Sequence, residues 1–260
     1  MKTLIVYHRG GGKSLNYPPN CILTIKWAIK NKAEAIEFDV VVAKDKIWKM
    51  VVIEPKLLSE NNLNINNLKW NDLSNLNAGN QKHGQCKVAA LKNVLDIVDQ
   101  SKIRLQIHIK GDNPYTVPTL LSELKNLNNI VIASFDLKVL QEVKKITPTA
   151  KVGWIVKPDN ESGTEGAADL TKIVTSNPGK LFQYAKEELR RIKDKAKSSS
   201  IDVIILCAPK IKSKEDIFYL QKEGFEVGAW GVGTNLAIAK KLIVFGINRF
   251  TIDNPEELKI

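Results

Sequence analysis

Cysteine is scarce in this 260-residue chain. Cys21, Cys86 and Cys207 are odd in number, far apart and outside any metal-type spacing. Neither a disulfide framework nor a zinc module is expected, and the three read as free thiols of a reducing, cytoplasmic compartment. No apolar run approaches ~18 residues, which excludes a membrane-spanning helix. Only a handful of apolar residues separates Met1-Lys2 from His8, so no signal peptide is read there. The glycines lack a dinucleotide fingerprint, because Gly10-Gly11-Gly12 has the wrong spacing and no helix follows it at once. Carboxylates are in deficit, with 28 Asp and Glu against 39 Lys and Arg and a formal net charge of +11. No nucleic-acid motif accompanies that charge, and the lysines are scattered. The densest run, 187–195, mixes signs at helical spacing and reads as a solvated helix face. No basic amphipathic helix stands out for docking on anionic lipid. The expected partner is a small anionic molecule, not nucleic acid and not an inserted bilayer.

What is present is a hydrophobic fraction of 43%, enough for a full core, and a regular alternation. Short β-branched runs at 3–8, 35–42, 103–110, 129–135, 151–156, 202–207, 226–232 and 249–253 read as buried parallel strands. Amphipathic stretches at 20–32, 90–100, 117–127, 137–145, 178–198, 213–223 and 235–245 read as helices between them. Eight such strands in this length give an α/β fold, a (β/α)8 TIM barrel. A doubly wound open sheet is the runner-up, weakened by the missing glycine fingerprint. Residues 47–54 read as a hairpin partner of the second strand. An Asn-rich stretch follows, punctuated by Leu63, Ile65, Leu68, Leu73 and Leu76, which argues that it packs. Without repeat or linker, the chain reads as one domain, 1–260, with a small insertion after the second strand at about 45–88.

In a parallel barrel the reactive groups stand at the C-terminal ends of the strands. The first strand brings His8 and Arg9, and the second Glu37 and Asp39, two residues apart and so on one face. The hairpin ends at Glu54; later strands bring His108 with Lys110, Ser134 with Phe135, and Trp230. Burying such groups without partners would cost several kcal/mol each, roughly. A buried Lys110–Glu37 pair could be purely structural. The whole set at one rim fits chemistry better. Two carboxylates one strand period apart can hold a hard divalent cation. Arg9 and Lys110 suit phosphate oxygens, and His8 suits proton transfer near neutrality. Together they suit cleavage of a phosphoryl ester.

His8-Arg9-Gly10, Tyr17-Pro18-Pro19-Asn20 and Glu37-Phe38-Asp39-Val40 stand in this order. Ile109-Lys110, Ser134-Phe135-Asp136, Trp230 with Val232, and Gly246-Ile247 leading to Thr251-Ile252-Asp253-Asn254-Pro255 follow them. This ordered set resembles the glycerophosphodiester phosphodiesterase family over nearly the whole chain. The resemblance implies a (β/α)8 barrel with an insertion after the second strand. It implies a small-molecule phosphodiester substrate, cleaved to glycerol 3-phosphate and an alcohol with a divalent metal ion (Mg, Ca or Mn). By the same resemblance His8 is a catalytic histidine, Arg9 and Lys110 bind phosphate, and Glu37 and Asp39 hold metal. Ser134, Phe135 and Trp230 would line the substrate pocket.

Four positions depart from the family pattern. Its Pro-Glu-Asn-Thr is Pro18-Pro19-Asn20-Cys21 here, and its second catalytic histidine aligns with Glu54, with Pro55 in place of the aspartate that follows. The third metal-ligand glutamate is His108. Three readings stay open. Glu54 serves in proton transfer; His108 and Glu54 rebuild the metal shell; or the barrel is catalytically impaired and binds a phosphate-bearing ligand. With His108 in the shell, the expected metal preference moves from Mg and Ca toward Mn or other transition ions.

Overall fold

The computed structural model describes residues 2–99, 102–157 and 183–258. Its strands are β1 (Leu4–Tyr7), β2 (Ala35–Lys44), β3 (Trp48–Val52), β4 (Ala89–Ala90), β5 (Arg104–Ile109), β6 (Ile130–Ser134), β7 (Lys151–Ile155), β8 (Val203–Cys207), β9 (Glu226–Trp230) and β10 (Arg249–Ile252). β1 pairs in parallel with both β10 and β2, which closes β1, β2 and β5 to β10 into an eight-stranded parallel barrel. The fold is the TIM barrel expected. These strands are Val- and Ile-rich because helices cover the outside while side chains fill the inside, leaving no polar face.

Helix α1 (Ile22–Lys30) follows β1, and α2 (Pro55–Glu60), α3 (Trp70–Ser74) and α4 (Leu91–Val98) follow β3. After the barrel strands come α5 (Thr116–Glu123), α6 (Leu137–Ile146), α7 (Lys186–Ser198), α8 (Lys214–Gln221) and α9 (Leu236–Val244). The mixed-charge run lies on α7. Residues 178–182 of the helix expected there fall outside the described residues. Among the described residues no helix is long and apolar enough to cross a membrane.

β2 runs beyond the rim, and its upper half pairs antiparallel with β3 from Val40↔Val52 to Lys44↔Trp48. β3 in turn pairs with β4, so the insertion grows from the barrel sheet itself. It has its own small core of Val41, Val51, Ile53, Leu58, Leu68, Leu73 and Val88, with Leu63, Ile65 and Leu76 packed against it. Fully burying one such leucine contributes about 1.5–3 kcal/mol. That is how an Asn-rich stretch stays ordered.

The cysteine expectation is corrected here. Cys21 and Cys86 form a disulfide, and only Cys207 is free. Sixty-five residues separate the pair in sequence, but the insertion returns onto the start of α1 and brings their Cα atoms to 6.5 Å. Chain spacing alone does not reveal such a contact. The bond removes the ground on which a reducing compartment was expected. Burial pushes the Cys207 thiol up to about 12, which leaves it an inert core group.

Candidate active site

A cavity of about 370 Å³ opens at the C-terminal ends of the strands. His8, Arg9, Glu37, His108 and Lys110 line it, together with Trp230 and with Phe135, whose ring centroid lies 5.4 Å from that of His108. Beneath lies an apolar plug of Val131, Ala133, Ile155, Val203 and Ile205.

β1 ends one residue before the histidine. His8–Gly10 form a tight 3-10 turn in which Arg9 has φ +53°. A left-handed arginine is uncommon and is held only where its surroundings repay the strain. Here Arg9 N–H donates to Glu37 Oε2 at 3.0 Å, and its carbonyl accepts from Asn20 N at 3.1 Å. Gly10 follows at φ +93°, and a Cβ there would meet Thr24 Cγ2 at 2.6 Å. The turn therefore aims His8 and Arg9 into the mouth and needs a glycine behind them.

The register β2–β5 sets Asp39 beside His108 and Glu37 beside Gln106. Asp39, fully buried, is the hub: Arg9 Nε lies 3.1 Å from Oδ2, Lys110 Nζ 3.1 Å from Oδ1, and His108 Nδ1 3.3 Å from Oδ1. Burial alone would raise its pKa, but Lys110 and Arg9, with His108, hold it well below the usual carboxylate range. Glu37 lies 3.6 Å from His108 Nδ1 and 3.8 Å from His8 Nε2. Arg9 also pairs with Glu54 Oε1 at 2.8 Å. These carboxylates hold the guanidinium firmly protonated against the pull of burial.

Glu54 does not line the main cavity. Its carboxylate lies between Arg9 and Asn20 Nδ2, which is 3.2 Å from Oε2, and faces a second cleft under the insertion. The two spaces share Lys13, Tyr17 and Pro19. Burial is the main cause of a raised Glu54 pKa, opposed by Arg9. Ser134 is the one expected pocket residue turned elsewhere, since its Oγ accepts from Asp136 N at 3.1 Å in its own turn. Phe135 and Trp230 meet edge to face at 5.4 Å, and Trp230 Nε1 donates to Val156 O at 3.0 Å.

The donor set fits a divalent cation. Glu37, Asp39 and His108 each offer one ligand atom, all within 4.8 Å of one another and all buried. Asp39 Oδ1 is buried without a hydrogen bond, and His108 turns Nδ1 toward both carboxylates, an arrangement that a metal among these atoms would satisfy. Lys110 stands beside the same Oδ1 and would have to share it.

Asp253 belongs to the Thr251–Pro255 motif, where its position alone marks no role. Its Oδ1 is 2.5 Å from His8 Nδ1, and its Oδ2 accepts from Lys13 Nζ at 2.9 Å. Holding Nδ1 leaves Nε2 as the ring nitrogen facing the cavity. Burial works to lower the His8 pKa, yet Glu37 and Asp253 outweigh it and the net direction is upward. Asp253 itself is held well below the usual range by His8 and Lys13 against its burial. An Asp253→Asn variant should therefore shift the falling, alkaline limb of a kcat pH profile toward acid, because the imidazolium loses a carboxylate partner. An unmoved limb would remove Asp253 from the proton-transfer unit. Gln106, also in the wall and buried, was legible two residues before His108 on the same strand face but carries no charge to draw attention.

A closed parallel barrel with a histidine facing the cavity, a carboxylate–imidazole cluster and two cations at its C-terminal rim defines a TIM-barrel hydrolase site for an anionic ester. Residues 8–257 match the model of the Glycerophosphoryl diester phosphodiesterase family, and the chain belongs to that family. A glycerophosphodiester phosphodiesterase of Caldanaerobacter subterraneus subsp. tengcongensis is 28% identical over 167 residues, 60% of this chain and 67% of the relative. A phosphodiesterase of Oleispira antarctica, solved with the product sn-glycerol-3-phosphate, superposes with a TM-score of 0.75 at 16% identity, covering 99% of this chain and 95% of that one. A glycerophosphodiester phosphodiesterase of Agrobacterium tumefaciens str. C58 gives 0.71 at 18%, covering 98% of each.

Proposed function

We propose that this chain cleaves glycerophosphodiesters to glycerol 3-phosphate and an alcohol, with His8 and Glu54 moving protons on opposite sides of the phosphate. The observation that carries this is the position of Arg9 between the two spaces, in the wall of the His8 cavity and ion-paired with Glu54 of the adjoining cleft. A phosphate held by Arg9 and Lys110 would have a proton-transfer group on each side, as in-line displacement requires. Glu54, whose raised pKa makes it a better base than an ordinary glutamate, accepts a proton from the attacking water, whose oxygen forms the new bond to phosphorus. The phosphorus–oxygen bond to the alcohol breaks. His8, kept protonated by Glu37 and Asp253, donates to the leaving oxygen. Phe135 and Trp230 give the cavity an apolar wall that limits water.

Glu37, Asp39 and His108 are the proposed metal ligands, and Lys110 and Arg9 the phosphate ligands. A divalent cation bound there supplies charge neutralisation at the phosphoryl oxygens. With the ground of three free thiols gone, a cytoplasmic placement requires the Cys21–Cys86 bond to be a reversible one, as cytosolic disulfides generally are.

The test is a pair of substitutions at Glu54. Glu54→Gln should lower kcat by about 100-fold or more with KM nearly unchanged, since the amide holds no proton-accepting carboxylate. Glu54→His should recover much of the loss. If both variants instead raise KM at near-normal kcat, Glu54 serves only to hold Arg9.

A further inference from the structure

Between the second cleft and the carboxylate cluster stands Asn20, buried and in the left-handed region at φ +55°. Its side chain is fully used. Oδ1 accepts from Asp39 N at 3.0 Å, and Nδ2 donates to Asp39 Oδ2 at 3.0 Å and to Glu54 Oε2 at 3.2 Å. Its own N–H donates to Arg9 O. One residue thus fixes the backbone and carboxylate of Asp39, the carboxylate of Glu54 and the turn that carries Arg9. Only an amide does this. An aspartate would lose both donor hydrogens and add a third negative charge.

The next residue is Cys21, bonded to Cys86 at the far end of the insertion. Cys21 also caps α1, accepting from Leu23 N at 3.4 Å. Cys86 is fixed on its own side: its N–H donates to Asn77 Oδ1 at 2.9 Å, and its carbonyl accepts from Ala78 N at 2.6 Å. The covalent bond therefore joins the insertion to the residue adjoining Asn20. A left-handed residue other than glycine has a lower-energy alternative at φ below zero, although asparagine bears the left-handed form better than most. A change of Asn20 to that alternative would swing the amide off both carboxylates.

We propose that the Cys21–Cys86 bond and Asn20 form a redox-controlled positioning device, in which the bond holds Asn20 against Asp39 and Glu54 and its reduction releases them. The reductant is a dithiol. Its two electrons and two protons convert the bond to two thiols, and the dithiol leaves as its own disulfide. Both sulfurs are buried, so exchange waits on local opening of the insertion. Asn20 acts through Asp39 and Glu54 and is a positioning residue. Its effect on turnover rests on the function proposed above.

The test compares the oxidised protein, the dithiol-reduced protein and Cys86→Ser, which leaves the barrel side intact. Three readouts are taken: Mn2+ affinity by calorimetry, kcat with KM, and deuterium exchange at the Asp39 amide. Reduction should weaken Mn2+ binding by about 10-fold, the usual scale for losing a partner that orients a ligand. It should lower kcat more than it raises KM and speed exchange at Asp39. Cys86→Ser should match the reduced protein. Asn20→Ala should match both and respond no further to reduction. The idea is overturned if reduction lowers Tm alone, with affinity, kcat and Asp39 exchange unchanged, or if the Asn20 and Cys86 effects simply add. Should neither redox form bind Mn2+, the metal reading fails separately. Asp39 exchange then decides: faster on reduction supports the device, and unchanged exchange overturns it.

Discussion

Replacing His8 with Gln lowers kcat by about 100- to 10,000-fold and leaves Mn2+ affinity near the parent value. Glutamine keeps the bulk and can still meet Asp253, so the turn at 8–10 is preserved. What it removes is the ionisable Nε2 that faces the cavity. His8 is not among the metal-type cluster of Glu37, Asp39 and His108, so binding and chemistry separate cleanly in this variant. The loss should fall on kcat and kcat/KM alike, because the proton moves only in the transition state. A variant that turns over at the parent rate would mean that His8 merely fills the wall. A variant that also loses Mn2+ would mean that the imidazole belongs to the metal shell.

Asp39→Asn should be strongly destabilising for an isosteric change. Removing its charge leaves Arg9 and Lys110 about the hub without their shared counter-ion. Breaking a buried pair costs about 3–5 kcal/mol. The Arg9 and Lys110 side chains retain 28% and 20% exposure, so the lower end, about 3 kcal/mol, applies. For a domain of this size that is a fall in Tm of about 6–12 °C. The pH dependence has a definite sign. Asp39 is held below its ordinary pKa of about 3.9, so its contribution is complete above that value and is lost as pH falls through the folded-state pKa. The Tm difference between parent and variant should therefore shrink in acid. A difference that holds constant down to acid pH would mean that shape, not charge, makes Asp39 necessary. The same variant should lose Mn2+ binding.

The barrel was legible because its signals are local. Continuous Val/Ile runs alternating with amphipathic stretches mark an α/β fold, the count of eight strands without a glycine fingerprint favoured the barrel over a doubly wound sheet, and the β2–β3 hairpin was marked by the polar turn at 44–46. The rim was legible for a related reason. Residues two apart on a strand share a face, so Glu37 with Asp39 converged with His108 from the neighbouring strand once the register was set. What stayed hidden depends on contacts distant in sequence. The Cys21–Cys86 bond spans 65 residues, and the His8–Asp253 pair joins the first strand to the last, 245 residues apart. Glu54 was found, but its direction was not. Whether a strand-end carboxylate faces the cavity or the next cleft depends on Arg9, and hence on the left-handed turn that precedes Gly10. Ser134 looked like a pocket residue by its place at the end of β6 and was instead taken by its own turn.

The most direct measurement is the release of glycerol 3-phosphate from a panel of glycerophosphodiesters by the oxidised protein, with Mn2+, Mg2+ and Ca2+ compared at equal concentration. The account predicts release that depends on added metal and is fastest with Mn2+, because the His108 imidazole suits a softer ion than an all-oxygen shell does. Mn2+ bound to the protein with no product released from any diester under any of the three metals would contradict it, and would leave a barrel that binds a phosphate-bearing ligand without cleaving it.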